Sequence, residues 1–174
     1  LSAIANRPDV RTVGPREEAT TNRLELPPEV LREKLKNLPQ PGAATNAGSA
    51  TWEGVAAHKA NAAHSAGRTG TGTMVCVLSD GVNSLAARQA TGDLPATVTV
   101  LPGQAGSGDE GTAMLEIVHD MAPGASLGYA TAFTSVASFA TNIVNLQAAG
   151  CNIIVDDVTY FNEGAFQDGP IAQP

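Results

Sequence analysis

Five carboxylates stand where short apolar runs end. Asp80 follows Met74-Val75-Cys76-Val77-Leu78, and Asp156 and Asp157 follow Asn152-Ile153-Ile154-Val155. Asp109 and Glu110 close a glycine-rich stretch after residues 97–101. Such groups can accept a proton, ligate a hard cation or share a proton with a neighbour. Some have a local explanation. Asp80 suits a cap on the next helix, and Asp109 and Glu110 suit the positive end of a helix dipole. Asp156-Asp157, directly after an apolar strand, is harder to explain as a solvated turn. Carboxylates gathered in one cleft repel, which points to a bound cation, shared protons or catalysis.

Other candidate chemistry is weaker. His58 and His64 are six apart, His119 stands alone, and no pair has zinc-like spacing. No metal ligands are assigned, although calcium on the carboxylates is possible. Residues 106–111 fit G-x-G-x-x-G, but Asp109 and Glu110 would aim negative charge at a pyrophosphate. The strand after that helix ends in Tyr129-Ala130, with no acid for a ribose, so a nucleotide-binding domain is the weakest option. Cys76 and Cys151 sit in apolar context and read as buried free thiols, which leaves the redox compartment open.

The elements that must position these groups follow from period and punctuation. The 174 residues are 43% apolar and fit one domain. The runs at 74–78, 97–101, 126–130 and 152–155 read as strands, and unbroken apolar runs suit strands covered on both faces. Helices are expected at 52–66, 84–90, from Glu110 to about Met121, and through Phe133, Val136, Phe139, Ile143 and Leu146. Strands alternating with helices imply an α/β fold with a doubly wound parallel sheet, whose sites lie at the carboxyl ends of the strands. Ahead of this, residues 1–40 form a charged extension with a short strand at 9–13 and a helix opened by Pro27-Pro28, and 41–51 form a linker.

Charge narrows the partners. Seven basic and six acidic residues lie in positions 1–40, whereas nine carboxylates and no Lys or Arg follow Arg88. A surface without cations cannot neutralise phosphates, so neither nucleic acid nor an anionic membrane is an expected partner. The apolar runs are also too short to span a bilayer.

The order of the motifs resembles the opening of a subtilisin-like protease domain. His64-Ser65-Ala66-Gly67-Arg68-Thr69-Gly70, then Val75-Cys76-Val77-Leu78-Ser79-Asp80-Gly81, is similar to the family's helix, T-G turn and first strand with its catalytic Asp-[Ser/Thr]-Gly. Glu110-Gly111-Thr112-Ala113-Met114 stands where that family has His-Gly-Thr-His. Ala122-Pro123-Gly124-Ala125-Ser126-Leu127 and residues 152–155 match two further strands, so the register runs from about Trp52 to Asp157. Residues 1–15 resemble the last strand of the family's inhibitory propeptide. The resemblance implies a three-layer subtilisin-like sheet, incomplete in this chain, with residues 52–174 as the N-terminal portion of the peptidase domain.

Three departures shape what it implies. Ser79-Asp80 inverts the usual order, and a one-residue shift at a strand end turns a side chain to the other face. Asp80 therefore reaches the catalytic position only if the turn compensates. Glu110 replaces the histidine, as in the related sedolisins, but the acidic partner those enzymes carry one helical turn on is here Met114. No Gly-Thr-Ser nucleophile motif is present. The expectation is a secreted, extracellular or periplasmic serine endopeptidase acting on a polypeptide substrate. Asp80 and Glu110 would be catalytic, Asp156 and Asp157 supporting, and the serine outside the chain. The alternative is a non-catalytic, calcium-stabilised or binding module of the same fold. The strand at 152–155 would present an open edge, covered by the C-terminal half of the same protein as a second chain or by a homo-oligomer partner.

Overall fold

The computed structural model describes residues 7–8, 16–21, 27, 29–30, 33, 48, 50–162 and 168–174. Within them the chain builds a four-stranded parallel sheet flanked by helices, in the strand order β3-β4-β2-β5. The strands are β2 (Met74–Ser79), β3 (Val98–Val100), β4 (Ser126–Thr131) and β5 (Ile153–Asp156). The interior strands β2 and β4 are buried along nearly their whole length, as their unbroken runs require. A second, two-stranded ladder pairs β1 (Thr20–Thr21) antiparallel with β6 (Val158–Thr159).

The helices are α1 (Gly54–Ala57), α2 (Ala60–Ser65), α3 (Leu85–Thr91), α4 (Glu110–Met121) and α5 (Val136–Ala148). Strand alternation separates two cores. Cys76, Leu78 and Ala130 face one side and pack against Phe139 and Leu146 of α5. Val77, Leu127 and Tyr129 face the other and pack against Leu115 of α4 with Val82 and Leu94. Helices therefore cover both faces of the sheet.

Three expectations are corrected. The helix expected at 52–66 is two short helices broken at Lys59, which takes a left-handed φ of 58°. Val55 and Ala60 are both buried. Positions five apart lie on different faces of a straight helix, and the break lets both turn inward. The helix through Phe139 begins only at Val136, because Ser135 caps it by accepting the Ser138 amide at 3.1 Å. Finally, Cys76 and Cys151 are not free thiols but a disulfide with a Cα–Cα distance of 5.9 Å. The β4-α5-β5 crossover returns Cys151 to the face onto which Cys76 points, and Gly128, opposite Cys76, leaves room for the sulfur.

The expected strand at 9–13 lies outside the described residues. Of the helix after Pro27-Pro28, Glu29, Val30 and Glu33 are described, and all three are helical. No helix of the described residues is long and apolar enough to cross a membrane. Among the described residues β5 has a neighbour on one side only, and Ile153 is 49% exposed.

Candidate functional site: a carboxylate cluster at the sheet's carboxyl edge

Parity along three strands assembles the site. Val77 pairs with Tyr129 on one side and Val155 on the other, and Ser79 pairs with Thr131. Side chains two apart share a face, so Ser79, Tyr129 and Asp157 all belong to the α4 face. Helix α4 begins with Glu110 on this side. The result is a polar cluster at the carboxyl ends of β2, β4 and β5, with Ser79 and Tyr129 buried and Asp157 and Glu110 half-buried.

Asp157 registers the crowding. Its carboxyl is pushed up to about 6, first by burial and further by the negative charge and hydrogen-bonding proximity of Glu110, with the Ser79 hydroxyl opposing the rise. Burial raises the Tyr129 phenol too, the charge of Asp80 and then that of Asp157 add to it, and a hydrogen bond with Thr131 opposes the rise. Ser79 Oγ, Tyr129 OH and one oxygen of Asp157, Oδ1, are buried and make no hydrogen bond of normal length to the protein, although Ser79 lies near enough to Asp157, and Thr131 to Tyr129, to act on them. Buried polar atoms are rarely left so.

The other carboxylates have local duties. Asp80 Oδ1 accepts the amides of Gly81 at 2.5 Å and Gly111 at 3.1 Å. Its carbonyl accepts Ser107 N–H at 3.1 Å and Thr131 Oγ1 at 2.9 Å. Gly108, at φ 125°, lies so close to the Asp80 carboxylate that a Cβ would collide with it. Gly108 thus makes room for the Asp80 side chain, while Gly106 lies against the Asp80 carbonyl and Thr131. Gly111 is also pressed against the Tyr129 ring, which brings the start of α4 down onto β4. Asp109 accepts the Ser84 amide at 2.6 Å, the Ser84 hydroxyl at 2.9 Å and Thr112 Oγ1 at 3.1 Å. Its carboxyl is held below the usual range, chiefly by the Ser84 amide. Asp156 accepts the Val158 amide at 3.3 Å, and as the partner of Leu78 it belongs to the α5 face.

Of the four expected site residues, the structure sets Asp157 against Glu110. It ties Asp80 to the amide beside Glu110 and turns Asp156 to the opposite face. Sequence reasoning passed over Ser79 and Tyr129. The signal for both was the period-2 alternation through Val77-Ser79, Tyr129-Thr131 and Val155-Asp157, once the strands are known to be neighbours. The histidines lie elsewhere. His64 Nε2 bonds the Met121 carbonyl at 3.0 Å, and His58 stacks on Trp52. Burial lowers the pKa of His119, with the charge of Asp120 opposing. Among the described residues no group of three or more His, Cys, Asp or Glu side chains is placed to hold a metal ion. A separate cavity of about 390 Å³ lies beside Trp52, Arg88, Glu116 and Asp120, where Arg88 pairs with Glu116 at 3.1 Å.

Comparison with known proteins returned no match to a family model, to a curated protein or to a solved structure.

Proposed function

We propose that the chain is the N-terminal portion of a serine endopeptidase of the subtilisin and sedolisin type, doubly wound and three-layered. Glu110 is its general base, and the nucleophilic serine comes from outside these 174 residues. The observation that carries this reading is the Glu110–Asp157 carboxyl pair at the carboxyl edge of a parallel sheet, where ligands of open α/β sheets bind. The ordered motifs from Trp52 to Asp157 support it. The disulfide supports an exported protein, since such bonds persist in oxidising compartments.

In this mechanism the pair holds one proton. Protonated Asp157 donates to the Glu110 carboxylate and orients it. Glu110 takes the hydroxyl proton of the serine as it attacks the peptide carbonyl, then returns it to the leaving amine. Two carboxylates in contact share a proton because both cannot ionise cheaply. The test is peptide hydrolysis by the full-length protein and its Glu110→Gln variant. Gln keeps the size and an acceptor but takes no proton, so the rate should fall by about 10²–10⁴-fold. An unchanged rate would leave Glu110 as a carboxylate at a helix start and refute the assignment.

A further inference from the structure

Among the described residues, β5 is held in the sheet by β2 alone. Its own side chains do little to fix its register. Ile153 and Val155 share the α4 face and Ile154 the α5 face, so apolar residues stand on both sides, and two aspartates follow in a row. A slip of one residue would put Ile154 in the place of Val155, Val155 in that of Asp156, and Asp156 in that of Asp157. Ile154 would then lie beside Val77, and Val155 beside Leu78, so apolar residues still meet apolar ones. A strand whose pattern survives such a slip specifies register weakly, although the slip turns every side chain to the other face. Here it would exchange Asp157 for Asp156 on the side of Glu110.

The register is fixed at the start of the strand. Cys151 is bonded to Cys76 of β2 across Cα atoms 5.9 Å apart. The next residue, Asn152, clasps Met74 twice. Its amide donates to the Met74 carbonyl at 2.9 Å, and its side-chain oxygen accepts the Met74 amide at 2.8 Å. A one-residue slip would carry Cys151 about 3.3 Å along β2. A disulfide tolerates only a narrow range of Cα separations and side-chain directions, so the bond opposes that movement. Past the acids the restraint is slight. Asp157 stands outside the ladder, and β6 pairs with β1 over two residues.

We propose that Cys151, through its bond to Cys76, and Asn152 are positioning residues: they lock β5 in the register that presents Asp157, and not Asp156, to the α4 face where Glu110 begins. They act through the strand and need not touch a substrate. The lock deepens the reading of Asp157 as the partner of Glu110, but its readout is strand register and not hydrolysis, so the two can fail separately.

The experiment is NMR on ¹³C,¹⁵N-labelled full-length protein, reading which residue of β5 gives cross-strand contacts to Val77. The unmutated protein should show Val155 alone. Cys76→Ala/Cys151→Ala/Asn152→Ala removes the lock, and a second set of signals joining Val77 to Ile154 should appear at about 10% or more of the total. Inserting one Ile after Asn152 keeps the lock and lengthens the strand beyond it. The start of β5 should then stay in place and the rest move along by one residue. Ile154 should replace Val155 as the partner of Val77 throughout, and Asp156 should take the α4 face. Val155 kept as the sole partner of Val77 in either variant overturns the proposal, since the β1–β6 ladder would then be setting the register. If the triple variant does not fold, the insertion decides alone, because it keeps the disulfide and the apolar pattern.

Discussion

Asp80 and Gly111 are joined across 31 residues, with the Asp80 carboxylate accepting the Gly111 amide at 3.1 Å. This bond attaches the first turn of α4, and with it Glu110, to the end of β2. A helix start has amides with no partner inside the helix, and a carboxylate there satisfies one while meeting the positive end of the dipole. Asp80 therefore places Glu110. Asp80→Ala should cost about 1–3 kcal/mol by leaving the Gly81 and Gly111 amides without their acceptor. Asp80→Asn keeps an acceptor oxygen and should cost less. Urea unfolding of both variants checks this. If Asp80→Asn abolished hydrolysis as Glu110→Gln should, without loss of stability, Asp80 would be Glu110's proton partner and not its support.

The pH dependence of activity should follow Asp157. With the carboxyl pushed up to about 6, the protonated form that the proposed mechanism uses to orient Glu110 is lost as pH rises through that value. Activity of the full-length protein should decline over the same interval. Asp157→Asn carries a permanent N–H donor in place of the carboxyl proton, so it should keep most of the acid-side rate and flatten the decline. A pH–rate profile with the decline unchanged in Asp157→Asn would assign it to another group.

Stability should show the same carboxyl independently of catalysis. Its folded-state pKa lies above the ordinary value of 3.8. The folded state therefore binds the proton more tightly, and the contribution is present in full below 3.8 and lost as pH rises through about 6. Glu116 and Asp120 act in the same direction, both raised chiefly by burial. His119 acts oppositely, since burial lowers its pKa: its contribution is present above 6.5 and is lost as pH falls below that toward the lowered folded-state value. The difference between the chain and Asp157→Asn isolates one group. Urea midpoints at pH 4.5 and 7.5 should differ more for the unmutated protein than for the variant, with the excess stability on the acid side.

The Cys76–Cys151 bond closes a loop with a sequence separation of 75. Cross-linking positions so far apart restricts the unfolded chain strongly, and removing the bond should cost roughly 2–4 kcal/mol. Comparing urea unfolding with and without reductant, and with a Cys76→Ser/Cys151→Ser variant, measures the loss. Two free thiols by mass under non-reducing conditions would contradict the pairing.

Self-association should occur through β5. Ile153 is 49% exposed on a strand with one neighbour among the described residues, and an apolar parallel edge invites pairing. Light scattering should show oligomers of the 174-residue chain, reduced by Ile153→Lys. A monomer that unfolds in one cooperative step would mean that another part of the chain covers the edge.

The alternation of apolar runs and helical patterns was legible in the residues themselves. Met74 to Leu78 can be little other than a buried strand, and Ser126 to Ala130 follows the same logic. A parallel sheet flanked by helices follows because strands joined by helical crossovers must run the same way. The sequence also named Asp80, Glu110, Asp156 and Asp157 as the candidate acids, since each stands at the end of a strand run or at the start of the helix that follows one, but it could not separate Asp156 from Asp157. It held the clue to the inversion at Ser79-Asp80 as well, because parity along a strand is a local property.

What could not be decided locally is which strands are neighbours. Only the order β3-β4-β2-β5 puts Val155 beside Val77, and so Asp157 beside Ser79 and Tyr129. The pairing of Cys76 with Cys151 has the same origin, because apolar context describes a buried thiol and a buried disulfide equally well. Lys59's left-handed turn likewise answers to two buried residues on different helix faces and not to its own propensity. Local chemistry selected the groups that could act. Long-range packing alone decided that Asp157 faces Glu110 while Asp80 holds the loop, because the partner of a side chain is set by adjacent backbone and not by its neighbours in the chain.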